Sequence, residues 1–142
     1  MKHVSILFRS KCWNVFLLLC IALPSLAQKE FKIDQVSVVN VGDGRFLYRD
    51  LMTEKPLNGE HRIIDGYHSA YILASFKDGF YDGKYEEHLD NILINEGVYK
   101  DGRKNGLFKI YSKFDGKLKE EKSYKEGKLN GTSKTFFTDG KI

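Results

Sequence analysis

The stretch YKDGRKNG, from Tyr99 to Gly106, recurs along the chain and is its organising element. It returns as YKEGKLNG from Tyr124, as the altered copy FKDGFYDG from Phe76, and as the half copy EKPLNG from Glu54. The last glycines of the copies are 24, 23 and 25 residues apart, at Gly59, Gly83, Gly106 and Gly131. A nearly constant period of this length predicts an internal structural repeat rather than an isolated ligand loop.

A second turn signal lies between these joints, an Asp-Gly pair flanked by aromatic and β-branched residues. It occurs at Asp65-Gly66, Asp115-Gly116 and Asp139-Gly140. The second unit has Asp90-Asn91 in its place, so that unit is expected to be less regular. Because glycine accepts positive φ at low cost and aspartate bonds within its own turn, each unit is predicted to form strand, turn, strand, turn. The predicted turn glycines are Gly59, Gly83, Gly102, Gly106, Gly116, Gly127, Gly131 and Gly140.

The segments between the turns interleave aromatic and polar residues, as in GLFKIYSKF from Gly106 to Phe114. Helical spacing of apolar residues is not sustained anywhere after Ala27, so we expect an all-β array of antiparallel hairpin repeats. The predicted organisation is a signal peptide at 1–27, a capping hairpin at 28–48 and repeats at 49–142. The repeat units start near residues 54, 76, 99 and 124.

The first part of the chain has the features of a secretory signal peptide. Three basic residues precede an apolar run, Trp13–Leu23, and small residues precede a predicted cut after Ala27. A bilayer-spanning helix needs about 20 apolar residues, so a retained anchor is the less favoured alternative. Lipidation at Cys20 is a further alternative, which the preceding Leu19 disfavours. We therefore expect an exported chain that is periplasmic, secreted or associated with the cell envelope.

Removal of this leader changes the charge and the redox chemistry of what remains. The leader holds three of the 23 Lys and Arg and none of the 19 Asp and Glu, so the mature chain has a net charge of +1. A nearly neutral chain does not predict nucleic-acid binding. Both cysteines, Cys12 and Cys20, leave with the leader, so no disulfide can form in the predicted domain.

The repeated pattern resembles the MORN repeat, in the variant form found in many bacterial proteins. An aromatic residue, Lys, an acidic-Gly pair and Asn-Gly are followed by an aromatic strand closed by Asp-Gly, over about residues 46–142. The resemblance implies hairpins stacked side by side into an elongated, twisted antiparallel sheet, with aromatic residues packed between neighbours. It also implies a scaffold or binding surface. Some bacterial members are antitoxins, a role that fits an exported chain poorly.

Two stretches match ligand-binding motifs in part. DGFYDG, Asp78–Gly83, has residues of a calcium loop at positions one, five and six, but Phe80 and Leu89 replace oxygen ligands at positions three and twelve. VGDGRF, Val41–Phe46, has two glycines of a phosphate loop but no third glycine and no following helix. Both are predicted to be turns.

The histidines and acids do not predict a reactive site. His61 and His88 align with aromatic positions of later units, so we expect them to pack rather than to bind metal. Glu86 and Glu87 are consecutive and would point to opposite faces of a strand. We therefore expect no catalytic residue, no cofactor and no metal site.

Charge placement supplies the candidate surface. Gln28–Glu96 carries 8 basic and 13 acidic residues, whereas Gly97–Ile142 carries 12 basic and 6 acidic residues. In the basic half, Lys117, Lys119 and Lys122 are the candidate contacts to anionic lipid or glycan. The structural alternative is that these lysines keep sheet edges from pairing. The same polarity would also allow head-to-tail self-association.

Together these features favour an exported, non-catalytic protein-interaction or scaffold module in the cell envelope, with an unidentified protein as its partner. The alternatives are a membrane-surface or glycan-binding module and an antitoxin-like member of the family. Only two residues follow Asp139-Gly140, so the array either offers an open strand edge or continues beyond this sequence.

Overall fold

The computed structural model describes residues 29–137, and it confirms the predicted all-β class, with 70% strand and 3% helix. The strands are β1 (Lys29–Lys32), β2 (Val36–Gly42), β3 (Arg45–Asp50), β4 (Gly59–Asp65), β5 (Ala70–Lys77), β6 (Phe80–Leu89), β7 (Ile92–Lys100), β8 (Arg103–Lys104), β9 (Gly106–Tyr111), β10 (Leu118–Lys125) and β11 (Lys128–Thr135). One short 3-10 helix, Ile33–Gln35, follows β1. The predicted signal peptide and Gly140 lie outside the described residues.

Nine of the strands belong to one open sheet. Its order is β1-β4-β5-β6-β7-β9-β10-β11, and the short β8 pairs with the end of β7. All pairings are antiparallel except that of β1 with β4, which is parallel. β2 and β3 form a separate antiparallel pair. The repeat region is therefore a series of consecutive hairpins, and the N-terminal segment alone departs from sequential order.

The Asp-Gly pair of YKDGRKNG is the tight turn between β7 and β8. Asp101 and Gly102 have φ of 47° and 72°, the left-handed values that a two-residue hairpin turn of this kind requires. Asp78–Gly79 and Glu126–Gly127 form the same turn one repeat earlier and one repeat later. Every predicted turn glycine among residues 29–137 has positive φ. The first half of the stretch thus reverses the chain.

The second half of the stretch accepts backbone hydrogen bonds from the turn of the following repeat. The glycine N–H of each turn donates to a carbonyl that lies just before the Asn-Gly or Asp-Gly joint of the preceding repeat. These bonds run from Gly79 to Leu57 (2.9 Å), from Gly102 to Tyr81 (2.8 Å) and from Gly127 to Lys104 (2.9 Å). Asn58 Oδ1 also accepts from the Asp78 N–H at 2.8 Å, and Asp82 Oδ2 from the Asp101 N–H at 3.1 Å. Each joint therefore links two repeats.

The second turns of the units are less uniform than the Asp-Gly pattern predicts. Residues 66–69 join β4 to β5, and the Asp65 carboxylate accepts hydrogen bonds from the N–H groups of Tyr67 and His68. β6 and β7 are joined by Asp90 and Asn91 alone, with φ of 49° and 63°. Asp and Asn both adopt left-handed φ more readily than other side chains do. The irregularity of this unit lies beside the turn, where the register of β6 with β7 shifts between Glu87 and His88.

Strand alternation gives the large sheet two different faces. The aromatic face is defined by Phe76, Tyr85, Tyr99, Phe108 and Tyr124. The charged face is defined by Arg62, Lys84, Glu86, Glu96 and Lys109. The buried core lies where the N-terminal segment packs on the first strands of the aromatic face, and it consists of Phe31, Val36, Leu57, Ile63, Ala74 and Phe76.

Candidate functional site

Aromatic rings form one continuous row along the aromatic face. Successive ring centroids lie 4.7–5.4 Å apart, in the order Tyr48, Tyr81, Tyr85, Tyr99, Phe108 and Tyr124. The repeat produces this row because Tyr99 and Tyr124 open their copies, whereas Tyr85 and Phe108 follow the joint glycines by two residues. Most of the contacts are edge-to-face, an arrangement that aromatic rings favour. Each repeat thus adds rings to a shared surface.

Burial raises the pKa of four phenol groups in this row, those of Tyr48, Tyr81, Tyr85 and Tyr99. It raises the pKa of Tyr99 to about 12. Burial raises the pKa of Tyr81 and that of Tyr85 more strongly. These four phenols are neutral at ordinary pH. Their rings present apolar surface with polar tips, a combination that suits contacts with another protein.

The β2–β3 hairpin lies across the first two repeat turns. The Tyr48 N–H donates to the carbonyl of Gly79 at 2.8 Å. At the start of β3, nearer the hairpin tip, Arg45 Nη1 lies 3.1 Å from Asp101 Oδ2. At the hairpin tip, Arg103 Nη2 donates to Asp43 Oδ2 at 3.2 Å. The hairpin therefore follows the row of turns as far as the second repeat.

An open cleft of about 590 Å³ lies between the hairpin tip and the third turn. It is lined by Asp43, Gly44, Tyr99, Gly102, Arg103, Lys104, Glu126, Gly127 and Lys128. We call this the basic cleft, because its lining has three cations and two acids. Asp43 and Arg103 pair with each other, which leaves Lys104 and Lys128 with Glu126. A small net positive charge thus lies beside the aromatic row.

Lys104 is the half-buried cation of the basic cleft. Its Nζ lies 4.9 Å from the ring centroid of Phe108 and 5.3 Å from that of Tyr124. Burial, and then the nearby ammonium of Lys122, lower the pKa of Lys104 below its ordinary value. Among residues 29–137, no carboxylate forms a salt bridge with Lys104. An anion entering the cleft would therefore meet an ammonium that has no salt-bridge partner and is partly shielded from water.

Glu86 and Glu87 lie on opposite faces of β6. Glu86 is on the charged face, where its carboxylate lies 2.6 Å from Lys84 Nζ and 3.2 Å from His88 Nε2. Glu87 is on the aromatic face, where it accepts a hydrogen bond of 2.6 Å from Asn95 Nδ2. The two carboxylates therefore cannot flank one scissile bond, as paired acids in glycosidases do.

Glu96 is the centre of a second cluster on the charged face, and its Oε1 accepts from Tyr111 Oη at 2.6 Å and from Lys109 Nζ at 3.0 Å. The Tyr111 hydrogen bond, followed by that from Lys109, lowers the pKa of Glu96 below its ordinary value of 4.5. This stabilisation is present above about pH 4.5 and is lost as the pH falls through the lower, folded-state pKa.

We expect the Glu96→Gln variant to lose less thermal stability than the wild type when the pH falls from about 5 to about 3, because the variant has no carboxylate to protonate there. Thermal midpoints measured by circular dichroism across this range would check the difference. Glu54→Gln, at an exposed loop position, is the control and should follow the wild type. Parallel pH profiles for the wild type and Glu96→Gln would contradict the prediction.

His61 and His88 both contact aromatic rings. His61 is 7% exposed, its ring centroid lies 5.3 Å from that of Phe31, and its Nε2 lies 2.9 Å from the Asn58 carbonyl. His88 stacks on Tyr71 with centroids 4.4 Å apart. Within residues 29–137, no group of three or more His, Cys, Asp or Glu side chains is placed to hold a metal ion.

The two partial ligand motifs form hairpin turns. Asp78–Gly79 joins β5 to β6, and Asp43–Gly44 joins β2 to β3. No helix follows the second motif, so its glycines have no helix N-terminus to help them bind phosphate. Asp43 contributes to the basic cleft instead, where it contacts Arg103.

The three lysines predicted from the charge distribution are not brought together. Lys117 lies 3.6 Å from Asp115 beside the turn before β10. Lys119 lies near the start of β10, beside Tyr111. Lys122 pairs with Glu120 on the aromatic face, close to Lys104. These lysines therefore do not form one surface, and two of the three are neutralised by acids of their own segment.

Sequence reasoning missed the cations of the basic cleft, Arg103, Lys104 and Lys128. Arg103 and Lys104 lie inside the repeated stretch itself, so a signal was present as charge within the joint. These cations line a cleft only because the hairpin tip lies beside them, and Asp43 of that tip precedes Arg103 by 60 residues. Nothing in the local pattern reports such a contact.

No helix in the described part of the chain is long and apolar enough to cross a membrane. No protein-family model matches the chain, and no curated protein matches it. The fold and the site define the class of protein as an open β-hairpin repeat sheet with an aromatic face and a basic cleft.

Proposed function

We propose that this chain is an exported, non-catalytic repeat protein, similar to MORN-repeat proteins, that serves as a protein-interaction or scaffold module in the cell envelope. The joint-to-turn hydrogen bonds support the repeat interpretation, because they recur at each copy of the stretch. The signal-peptide features of residues 1–27 support export.

The observation that carries the interaction proposal is the partial cover of the aromatic row. Ring contacts from the β2–β3 hairpin reach Phe76 and Tyr81 through Tyr48, and the row then continues to Phe108 and Tyr124. A sheet with one apolar face is stabilised by burying that face against another element. Over the first repeats the chain supplies this element itself. Over the later repeats Phe108 is buried beneath neighbouring rings and Lys104, and the row ends at the half-buried Tyr124. A partner protein would pack against this end of the row.

Site-specific photo-crosslinking tests this proposal with a control one residue away. Tyr124 lies on the aromatic face, and Ser123, its neighbour in β10, lies on the charged face. With p-benzoylphenylalanine in place of Tyr124, we expect discrete crosslinks to another protein in the producing cells. The same group in place of Ser123 should give none. Crosslinks of equal yield from both positions, or from neither, would argue against an interaction through this face.

Export is tested separately by fractionating cells that produce the full chain. We expect the protein outside the cytoplasm, with a mature N-terminus at Gln28 when the purified protein is sequenced. Retention of residues 1–27 on a cytoplasmic product would refute the export proposal. It would leave the interaction proposal intact, because the described domain begins after the leader.

A further inference from the structure

The β2–β3 hairpin shows how an extended segment is held on the row of repeat turns. At the first turn, the Gly79 carbonyl accepts a backbone hydrogen bond from Tyr48. At the second turn the contacts are made by side chains: Arg45 of the hairpin pairs with Asp101 of the turn, and Asp43 of the hairpin tip supplies a carboxylate to Arg103. The row of turns therefore binds extended backbone at the first turn and a carboxylate, through Arg103, just after the second.

The third turn repeats the same geometry without such an occupant. Glu126 and Gly127 have φ of 51° and 81°, close to the 51° and 83° of Asp78 and Gly79. In the described part of the chain, no backbone N–H donates to the Gly127 carbonyl, which is the equivalent of the Gly79 carbonyl that receives Tyr48. The basic cleft lies at this place, so the row of turns continues beyond its internal occupant.

We propose that the basic cleft binds a carboxylate-rich extended segment of a partner protein, laid along the third turn as the hairpin is laid along the first two. This inference rests on the proposed function as an interaction module, and it adds the place and the chemistry of the partner. Arg103, Lys104 and Lys128 supply the charge complementarity. Glu126 also lines the cleft, and together with the Asp43–Arg103 pair it leaves a small net positive charge.

The shape of the cleft favours a protein segment over a membrane surface. Lys104 is half-buried, with its ammonium over the rings of Phe108 and Tyr124. The hairpin tip forms one wall of the cleft and the Glu126–Gly127 turn forms the other. A flat bilayer surface would contact the walls first, whereas a single extended strand can enter and bring carboxylates to the ammonium. The hairpin tip already brings the carboxylate of Asp43 to Arg103 at the edge of this cleft.

The test uses fluorescence anisotropy of the purified protein with a labelled peptide of alternating aspartate and valine. About eight residues, roughly 27 Å when extended, provide enough length to follow the turns. We expect binding that weakens with added salt, and about tenfold weaker binding of a matched peptide with asparagine in place of aspartate. Lys104→Gln should weaken binding of the acidic peptide about tenfold, because it removes the half-buried one of the two cleft cations, Lys104 and Lys128, that form no salt bridge within residues 29–137.

Two further variants separate a specific contact from net charge and from misfolding. Lys119→Gln also removes one positive charge, but near the start of β10 and outside the lining of the basic cleft. It should leave the affinity within about twofold of the wild type. Lys104→Arg keeps the charge and should retain binding. An equal loss in Lys119→Gln, or unchanged binding in Lys104→Gln, would overturn the inference.

Failure of this inference can be distinguished from failure of the proposed function. If the acidic peptide does not bind while p-benzoylphenylalanine at position 124 still crosslinks to a protein, the cleft is not the binding site and the interaction role stands. Sedimentation with phosphatidylglycerol vesicles that depends on Lys104 would overturn the choice of a protein segment, because a lipid headgroup would then occupy the cleft.

Discussion

Phe108→Ala is expected to destabilise the domain by about 3–5 kcal/mol, because large-to-small substitution in a packed interior removes apolar contact and leaves a cavity. Phe108 is 4% exposed and packs edge-to-face against Tyr99 and Tyr124, at 5.3 and 5.4 Å. Its ring also covers Gly97, whose missing Cβ would lie 2.6 Å from the ring atoms. A side chain at position 97 would clash with the Phe108 ring, so the close packing of this ring on β7 requires glycine there.

Urea unfolding and the thermal midpoint would measure this loss. Domains of this size have a total stability of roughly 5–15 kcal/mol, so the midpoint should fall by roughly 15 °C or more. Phe114→Ala is the matched control, because Phe114 is the same residue type and is 86% exposed. A loss below about 1 kcal/mol in Phe108→Ala, or an equal loss in Phe114→Ala, would show that the aromatic row does not stabilise the array.

Gly79→Ala is expected to be the most damaging glycine substitution, because two costs combine at this position. Gly79 has φ of 83°, where an alanine side chain costs about 1–2 kcal/mol. An added Cβ would also lie 2.8 Å from the Tyr48 carbonyl oxygen and 2.5 Å from Leu47 Cδ1, and such overpacking costs about 1–3 kcal/mol more. The first repeat turn and the hairpin that crosses it would both be displaced.

Gly106→Ala separates these two costs. Gly106 has φ of 84°, nearly the value at Gly79, but an added Cβ there meets nothing within 4 Å. We expect Gly106→Ala to show the conformational cost of about 1–2 kcal/mol alone. Hydrogen exchange supplies a second measurement, because the Tyr48 amide, which donates to Gly79, should lose protection in Gly79→Ala and keep it in Gly106→Ala. Equal losses of stability in the two variants would mean that the hairpin contact contributes nothing.

These two substitutions test different kinds of contact in the same array. Phe108 joins neighbouring repeats through their aromatic face, whereas Gly79 joins a repeat turn to the hairpin that lies across it. In repeat proteins each unit contacts mainly its neighbours, so a local defect weakens the adjoining units directly. The 3-10 helix and the β2–β3 hairpin add long-range contacts at the N-terminal end, where the buried core lies.

Much of the repeat architecture was predictable, because its determinants are local. The left-handed φ of the Asp101–Gly102 turn follows from residue types that tolerate it. The packing of His61 against aromatic rings agrees with its alignment with Tyr85 and Phe108, which lie on the aromatic face. The second unit was expected to be less regular because it has no Asp-Gly pair. Its irregularity is a register shift between Glu87 and His88 rather than the turn, since Asp90 and Asn91 both adopt positive φ.

The candidate site was predictable only in part. The lysines of the basic half were recognised, but Lys117, Lys119 and Lys122 were grouped as one surface although strand alternation and nearby acids separate them. The basic cleft was missed, because its walls come from the hairpin tip and the third turn. Charge counts along a chain report how many cations there are and not which of them lie together.

The order of residues alone determines the repeat, its period, its turns, its all-β class and the aromatic positions that pack. These depend on backbone preferences and on a side-chain alternation that extends over a few residues. The folded arrangement added the parallel pairing of β1 with β4, the position of the β2–β3 hairpin and the cleft at its tip. The Arg45–Asp101 and Arg103–Asp43 contacts join residues 56 and 60 positions apart, a distance over which local preferences specify nothing.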